Sequence, residues 1–354
     1  MRHLKKDTVA LLEDLECRLD AVTEDNFTAQ WKNFLDHKFD GDIFTPCREK
    51  ITVPNIDMPS ININDALEDM DLMLQDQLVL VSEALGTRNL IPCIRANYGT
   101  GTLASLFGAE LFVMPRHTNT LPTTRPLGDT EKIRQLVDTG MPALTSGLGQ
   151  RVFDFGEFCA EALAPYPKIQ KYVQVYHPDA QGPLDIAELL WGMDIIYAMY
   201  DEPELVHGFL KLLSETYTAF LEKWFAIFPA RADMNCHWSH FYHRGNIVLR
   251  SDSAMNLNAE LYREFALPYD AALLKHFGGG AVHFCGRGDH YIACLSEVPE
   301  LTAIHMTQPE LNNLETIYRY TVDMGIPLLA FLREYAEKTV ERENGFLHNM
   351  HCLQ

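Results

Sequence analysis

The chain has 354 residues, 47% of them hydrophobic, and its 49 acidic against 29 basic side chains give a formal net charge of −20. That length and apolar content allow one barrel-sized core or two smaller ones. The acidic excess argues against nucleic acid and anionic membrane as partners, because phosphate binding needs clustered positive charge, and fits high solubility and a partner with a positive docking face.

The start, Met1-Arg2-His3-Leu4-Lys5-Lys6, leads into a polar amphipathic stretch and not an apolar run, so no secretory signal is expected. No window has the length of a membrane span. The eight cysteines, at 17, 47, 93, 159, 236, 285, 294 and 352, match no framework spacing. Reduced thiols in the cytoplasm are therefore the expectation.

Residues 1–87 read as a helical extension packed on a larger domain that begins at residue 88. Leu11, Leu12, Leu15, Leu19 and Val22 recur at helical spacing, and residues 64–86 predict a second helix with Asn64 as its N-cap. A loop rich in Pro and Asp lies between them. From Leu90 short apolar runs alternate with helical patterns, which predicts an α/β fold with parallel strands. The expected strands are Leu90–Arg95, Glu110–Met114, Tyr172–Tyr176, Ala232–Cys236, Gly280–Phe284, Leu301–Met306, Ile326–Phe331 and Phe346–Met350, with an extra short one at Ile247–Leu249. The clearest helices between them are Pro203–Phe228, Asn258–Phe277, Asn313–Met324 and Arg333–Arg342. Pro203 and Pro309 fall where a first helical turn tolerates proline, and Gly278, Gly279 and Gly325 stand where helices stop. Eight strands with intervening helices over residues 88–354 predict a (β/α)8 TIM barrel, whose chemistry collects at the C-terminal strand ends. An open doubly wound sheet is the rival, weakened as a dinucleotide site by the lack of Gly-x-Gly-x-x-Gly after a strand.

Two predicted strands end in soft metal ligands. His283 and Cys285 stand two apart in Gly280-Ala281-Val282-His283-Phe284-Cys285-Gly286, and Cys352 ends Met350-His351-Cys352. Residues i and i+2 of a strand share a face. If both strand ends lie on one rim, one imidazole and two thiolates can converge as the ligand set of a catalytic zinc with an open position. Read singly, Cys285 and Cys352 are equally well ordinary buried cysteines.

Other segments are weaker. His237-Trp238-Ser239-His240-Phe241-Tyr242-His243 comes directly after a strand, and His237 and His240 are candidates for proton handling or substrate contact; a polar loop over the barrel mouth explains them as well. Asp252, in Arg250-Ser251-Asp252-Ser253, is a candidate acid or base, or the holder of a cationic group. Arg95-Ala96-Asn97-Tyr98-Gly99-Thr100-Gly101 offers Arg95, Asn97 and Tyr98 as cofactor-binding candidates in a glycine-flanked turn suited to a carboxylate or phosphate. Gly286, in Gly286-Arg287-Gly288-Asp289-His290, would let backbone approach a cofactor, though a plain tight turn explains it too.

Several runs taken together resemble the uroporphyrinogen decarboxylase superfamily. They are Gly182-Pro183-Leu184-Asp185-Ile186-Ala187, Trp191-Gly192-Met193-Asp194, Tyr200-Asp201-Glu202-Pro203-Glu204-Leu205-Val206, Ser251-Asp252-Ser253-Ala254 through Leu261 to Tyr269, His283-Phe284-Cys285-Gly286 and Gly345-Phe346 to Cys352. The resemblance covers about residues 88–354 and implies the barrel. Metal-free decarboxylases of that superfamily carry an arginine-rich motif after the first strand and a Gly-His-Gly type motif on the last. Here Ile94-Arg95-Ala96-Asn97-Tyr98-Gly99 keeps one arginine, and the last strand reads Met350-His351-Cys352. The zinc- and cobalamin-dependent methyltransferase branch carries a His-x-Cys at one strand end and a Cys after a Gly-Phe strand, which His283, Cys285 and Cys352 match. That branch implies zinc-assisted methyl transfer between a corrinoid and a thiol. The corrinoid, as methylcobalamin or on a corrinoid protein, would arrive in trans; the alternative is a decarboxylase. A homodimer is compatible with the resemblance. Only two residues stand after Cys352, so no eighth barrel helix is expected, and the N-terminal helices are the expected cover for the gap.

Overall fold

The apolar runs in the second half of the chain become strands buried on both faces, as parallel sheets require. In the computed structural model, residues 4–338 and 347–353 are described. Strands β1 (Cys93–Ile94), β2 (Glu110–Phe112), β3 (Thr123–Arg125), β4 (Gln174–Val175), β5 (Asn235–His237), β6 (Phe241–His243), β7 (Ile247–Arg250), β8 (Gly280–Phe284), β9 (Leu301–Met306), β10 (Leu328–Phe331) and β11 (Met350–Cys352) succeed one another in chain order. Strands β7 to β11 form a five-stranded parallel sheet in sequence order, and β1 pairs in parallel with β4.

Two expectations are corrected. The segment expected as strand Glu110–Met114 pairs antiparallel with β3 as a largely exposed hairpin, because its alternation leaves Glu110 and Phe112 in solvent. The end of the expected strand Ala232–Cys236 belongs to a second hairpin, β5 with β6. The extra short strand expected at Ile247–Leu249 is present as β7 and is a full member of the main sheet. Among the described residues the ladders form separate sheets and not one continuous ring. Side chains cross one gap between them. The Gln174 amide donates to Asn235 Oδ1 at 2.7 Å and accepts from the Cys236 N–H at 2.8 Å, and the Val248 N–H donates to His177 Nε2 at 3.0 Å. Buried polar residues thus supply partners that a ladder would otherwise give.

The main sheet has two distinct faces. Leu249, Val282, Ile304 and Leu328 point to the outer face, into a core shared with the long helix Pro203–Ile227. Val248, Ala281, Ala303 and Leu329 point to the inner face. The inner face is covered by Phe27, Trp31 and Phe34, which lie on one side of helix α2 (Ala21–Leu35, after α1 at Lys6–Arg18), and by Phe44. Phe44 also caps the free edge of β11: its N–H donates to Met350 O at 2.9 Å and its carbonyl accepts from Cys352 N at 3.0 Å. An N-terminal segment therefore pins the final strand, where exposed edge groups would invite pairing with another chain.

The helix expected over 64–86 is two helices, α3 (Ile63–Glu68) and α4 (Met70–Leu85). Asp69 breaks them, because its carboxylate accepts from the N–H groups of Asp71 and Leu72; Asn62, not Asn64, caps α3. The expected helix Asn258–Phe277 contains a π-turn at Tyr262–Ala266 just before Pro268, which offers no N–H to the preceding turn. Phe346, the first residue of the last expected strand, and residues 339–342 of the last expected helix lie outside the described residues. Among the described residues no helix is long and apolar enough to cross a membrane.

A buried ion pair ties α2 to the entry of β1. Arg48 binds both Glu24 oxygens, at 2.7 and 2.9 Å, and donates to the carbonyls of Ala84, Thr87 and Leu90. Removing one partner of such a pair strands the other charge away from water. Glu24→Ala is expected to lower the unfolding free energy by about 3–5 kcal/mol in urea titrations, and a loss below about 1 kcal/mol, the scale of an exposed pair, would show that the pair does not hold α2 in place.

Candidate metal site

Parallel pairing brings three strand ends together. Arg250 of β7 stands opposite His283 of β8, and His283 stands opposite His305 of β9. Two residues further along each strand path come Asp252, Cys285 and Thr307. The ligand atoms of Asp252, His283 and Cys285 all lie within 4.8 Å of one another, a candidate metal site compatible with zinc. His283 Nε2 is 3.5 Å from Cys285 Sγ and 3.4 Å from Asp252 Oδ1. Two donors each about 2.0–2.3 Å from one ion at a tetrahedral angle are about 3.3–3.8 Å apart, so both separations suit a shared ion.

The surroundings hold Asp252 firmly. Its Oδ1 accepts from the Cys285 N–H at 2.7 Å. Its own N–H and that of Ser253 donate to Asp185 at 3.1 and 2.8 Å, which fixes the turn after β7. Asp185 sits on the helix Pro183–Trp191, brought against β7 by Gly182. The Gly182 N–H donates to Arg250 O at 3.0 Å, and a Cβ at that position would lie 2.3 Å from the same oxygen. Only glycine permits that approach. Gly286, with φ +77°, turns the chain directly after Cys285, and its N–H donates to the Gln308 side chain.

Burial and neighbouring charge set the protonation states. Burial pushes the His283 imidazole down to about 4, against the opposing pull of Asp252, so it is neutral and able to ligate at neutral pH. Its Nδ1 lies 3.0 Å from His305 Nδ1. Burial raises the Cys285 thiol, opposed by the Thr307 hydroxyl, which donates to its sulfur at 3.2 Å. A cation would invert that preference, since a coordinating thiol loses its proton. Burial, and then the charge on Asp252, push Asp185 well above the usual carboxylate range.

His283 and Cys285 open into a cavity of about 370 Å³ whose wall also includes Trp238, His240, His305 and Leu332. A second cavity, of about 550 Å³, lies on the other side of Asp252 and is lined in part by Gln181, Asp185 and Glu188.

Of the residues expected at the site, His283, Cys285 and Asp252 come together, and His240 lines the cavity. Cys352 does not join them. In β11 the side chains alternate, so His351 reaches the inner face, where its ring lies 4.4 Å from that of Trp31, while Cys352 is buried in the outer core with Met350 and Phe331. Burial there pushes its thiol up to about 12. Asp252 stands in the position expected for the second thiolate.

His237 is fully buried below the site, with Nε2 3.7 Å from Asp179. Arg95 pairs with Asp179, as does Arg250. Burial opposes ionisation of Asp179, but Arg250 and Arg95 together outweigh it and hold the carboxyl well below its usual range. Asn97 is buried, and Tyr98 packs edge-on to Phe155 in the outer core. Sequence reasoning missed His305, Thr307 and Asp179, and gave Arg250 and Asp185 no role. One signal was readable: His305-Met306-Thr307 ends a predicted strand with the same i, i+2 polar spacing as His283-Phe284-Cys285.

No family model matches the chain, and no curated protein sequence matches it. Among solved structures it is similar to a methyltransferase from Methanosarcina mazei, with a TM-score of 0.57 and 13% sequence identity over 86% of this chain and 82% of that one. At that identity the likeness is one of fold.

The buried imidazoles make stability depend on pH. Burial depresses His177, His243 and His283 to about 4 and His351 to about 3, from 6.5. Between those values the unfolded chain binds more protons, so this contribution is present above pH 6.5 and lost as pH falls toward 4. Asp270, raised by burial to about 7 from 3.8, acts oppositely: its contribution is complete below 3.8 and lost as pH rises through 7. The urea midpoint of metal-stripped protein is expected to fall from pH 6.5 to 4, and Asp270→Asn to raise stability selectively above pH 7. A flat profile across the acid range would contradict the neutral buried imidazoles.

Proposed function

We propose that the chain is a metal-dependent methyltransferase that moves a methyl group between a corrinoid and a small thiol, with Asp252, His283 and Cys285 holding zinc. One observation carries the reading: a carboxylate, an imidazole and a thiol whose ligand atoms lie within 4.8 Å of one another, with His283 at a tetrahedral separation from each of the other two, and with His283 and Cys285 on the wall of a cavity large enough for a small substrate. The fold likeness to a methyltransferase supports it. In this reading the five-stranded sheet and the β1–β4 pair are arcs of one barrel whose mouth holds the site.

Bound zinc would supply Lewis acidity that keeps an acceptor thiol in its thiolate form. The chain's own residues do the rest. Asp185 and the Cys285 N–H fix Asp252, and Trp238 and Leu332 give the cavity an apolar wall. His240 stands at the cavity wall as the candidate acceptor of the proton that the thiol releases. Transfer forms a sulfur–carbon bond and breaks a cobalt–carbon bond whose electron pair stays on cobalt. Methylcobalamin or a corrinoid protein would bring the methyl group from outside the chain.

The chain's charges weigh against the alternative, a metal-free decarboxylase for a substrate with many carboxylates. Arg95 and Arg250 are both engaged by Asp179, and Glu188 and Asp252 put carboxylates on the wall of the second cavity.

Elemental analysis and methylcobalamin turnover with a panel of thiols test the proposal together. Wild-type protein should carry zinc and methylate at least one thiol. Cys285→Ala and Asp252→Asn should each weaken zinc binding by about 100-fold or more and reduce transfer accordingly, whereas Cys352→Ala should keep its zinc. Zinc-free, inactive wild-type protein would overturn the function; loss of zinc in Cys352→Ala but not in Asp252→Asn would overturn the ligand set.

A further inference from the structure

We infer that the end of β9, His305-Met306-Thr307, is a second layer that positions the two β8 ligands: His305 fixes the ring of His283, and Thr307 fixes the sulfur of Cys285. The inference rests on the reading of His283 and Cys285 as zinc ligands and assigns roles to two residues outside that ligand set.

Register brings the two layers together. Parallel pairing sets His283 opposite His305, so the residues two further on, Cys285 and Thr307, also come side by side. Each pair is in contact. His283 Nδ1 is 3.0 Å from His305 Nδ1, and the two rings are stacked with centroids 4.7 Å apart at 29°. The Thr307 hydroxyl donates to Cys285 Sγ at 3.2 Å.

These contacts fix the donor and acceptor roles. A neutral His283 that ligates through Nε2 carries its hydrogen on Nδ1. Within the imidazole pair His305 Nδ1 then accepts that hydrogen, which places the His305 hydrogen on Nε2. With the ion on Nε2, the pair thus holds the matching His283 tautomer, and the stacking holds the ring plane. Trp238 closes the arrangement from the β5–β6 side, with its ring centroid 5.1 Å from His283 and 5.2 Å from His305. On the sulfur side, a hydroxyl hydrogen bond favours the thiolate over the thiol and limits the rotation of the Cys285 side chain. Partners of this kind typically change metal affinity by about 10–100-fold. Both are positioning residues, since they act through His283 and Cys285.

The test compares substitutions that keep or remove the hydrogen bond. Asparagine places its side-chain oxygen near the position of a histidine Nδ1, so His305→Asn keeps an acceptor for His283, whereas His305→Leu removes it. Thr307→Ser keeps the hydroxyl and Thr307→Val removes it at nearly constant volume. Zinc affinity is measured by competition with a chromophoric chelator, and folding by the thermal midpoint of the metal-stripped protein. His305→Leu is expected to weaken zinc binding by about 10–100-fold and Thr307→Val by about 3–10-fold. His305→Asn and Thr307→Ser should stay within about threefold of wild type, with metal-stripped midpoints close to wild type for all four. Affinity unchanged in both His305→Leu and Thr307→Val would overturn the inference while leaving the metal site intact. Equal losses in His305→Asn and His305→Leu would overturn it too, because the effect would then be packing. Wild-type protein that binds no zinc would sink the underlying site instead. If His305→Leu fails to fold, the Thr307 pair decides alone.

Discussion

The register of three parallel strands is the constraint on which the site depends. Pairing Arg250 with His283 and His283 with His305 puts three polar side chains in one row on the inner face. The two-residue period of a strand then puts Asp252, Cys285 and Thr307 in the next row toward the open end. A slip of one residue in β8 would turn His283 and Cys285 into the outer core and bring Val282 and Phe284 inward. The apolar alternation of β8 is thus also what fixes its chemistry, because the outer face accepts only hydrocarbon.

The inner face is unusual for a protein interior. Its small apolar residues, Ala281 and Ala303, lie beneath histidines and arginines, and its lower part is filled from outside the sheet by Phe27, Trp31, Phe34 and Phe44. The N-terminal helices therefore form part of the inner core. They supply the bulk that short inner-face residues leave out, and through Phe44 they hold β11 against β10. The polar upper part is stabilised by pairing: two guanidinium groups share Asp179, and His177 gives an acceptor to Val248 on the edge of β7 that pairs with no strand among the described residues. Charges so engaged are matched to one another and have little left to offer a ligand, whereas Asp252, His283 and Cys285 bring three ligand atoms within 4.8 Å of one another.

Much of this was readable in the chain. The strands Gly280–Phe284 and Leu301–Met306 appear at their expected bounds, since each is a buried run closed by turn residues. His283 and Cys285 share a face because two-residue spacing in a strand leaves no alternative. The ladder partners were harder to read. Glu110–Phe112 has the composition of a strand, but a strand pattern does not say whether its partner is a hairpin neighbour or a distant parallel strand. The break at Asp69 was missed because a carboxylate in a helical pattern reads as surface charge until its capping bonds are seen.

The sequence by itself determined an α/β chain with parallel strands and a His-x-Cys pair at one strand end, because these come from local period and spacing. Only the tertiary structure decided the third member of the cluster. Cys352 carries the softer ligand and a fitting motif, yet strand alternation turns it into the outer core, while Asp252, a turn residue with no metal-binding spacing, is carried to His283 by the pairing of β7 with β8. Side-chain convergence depends on which strands are neighbours and in what register, and those are set by long-range pairing that no local pattern encodes.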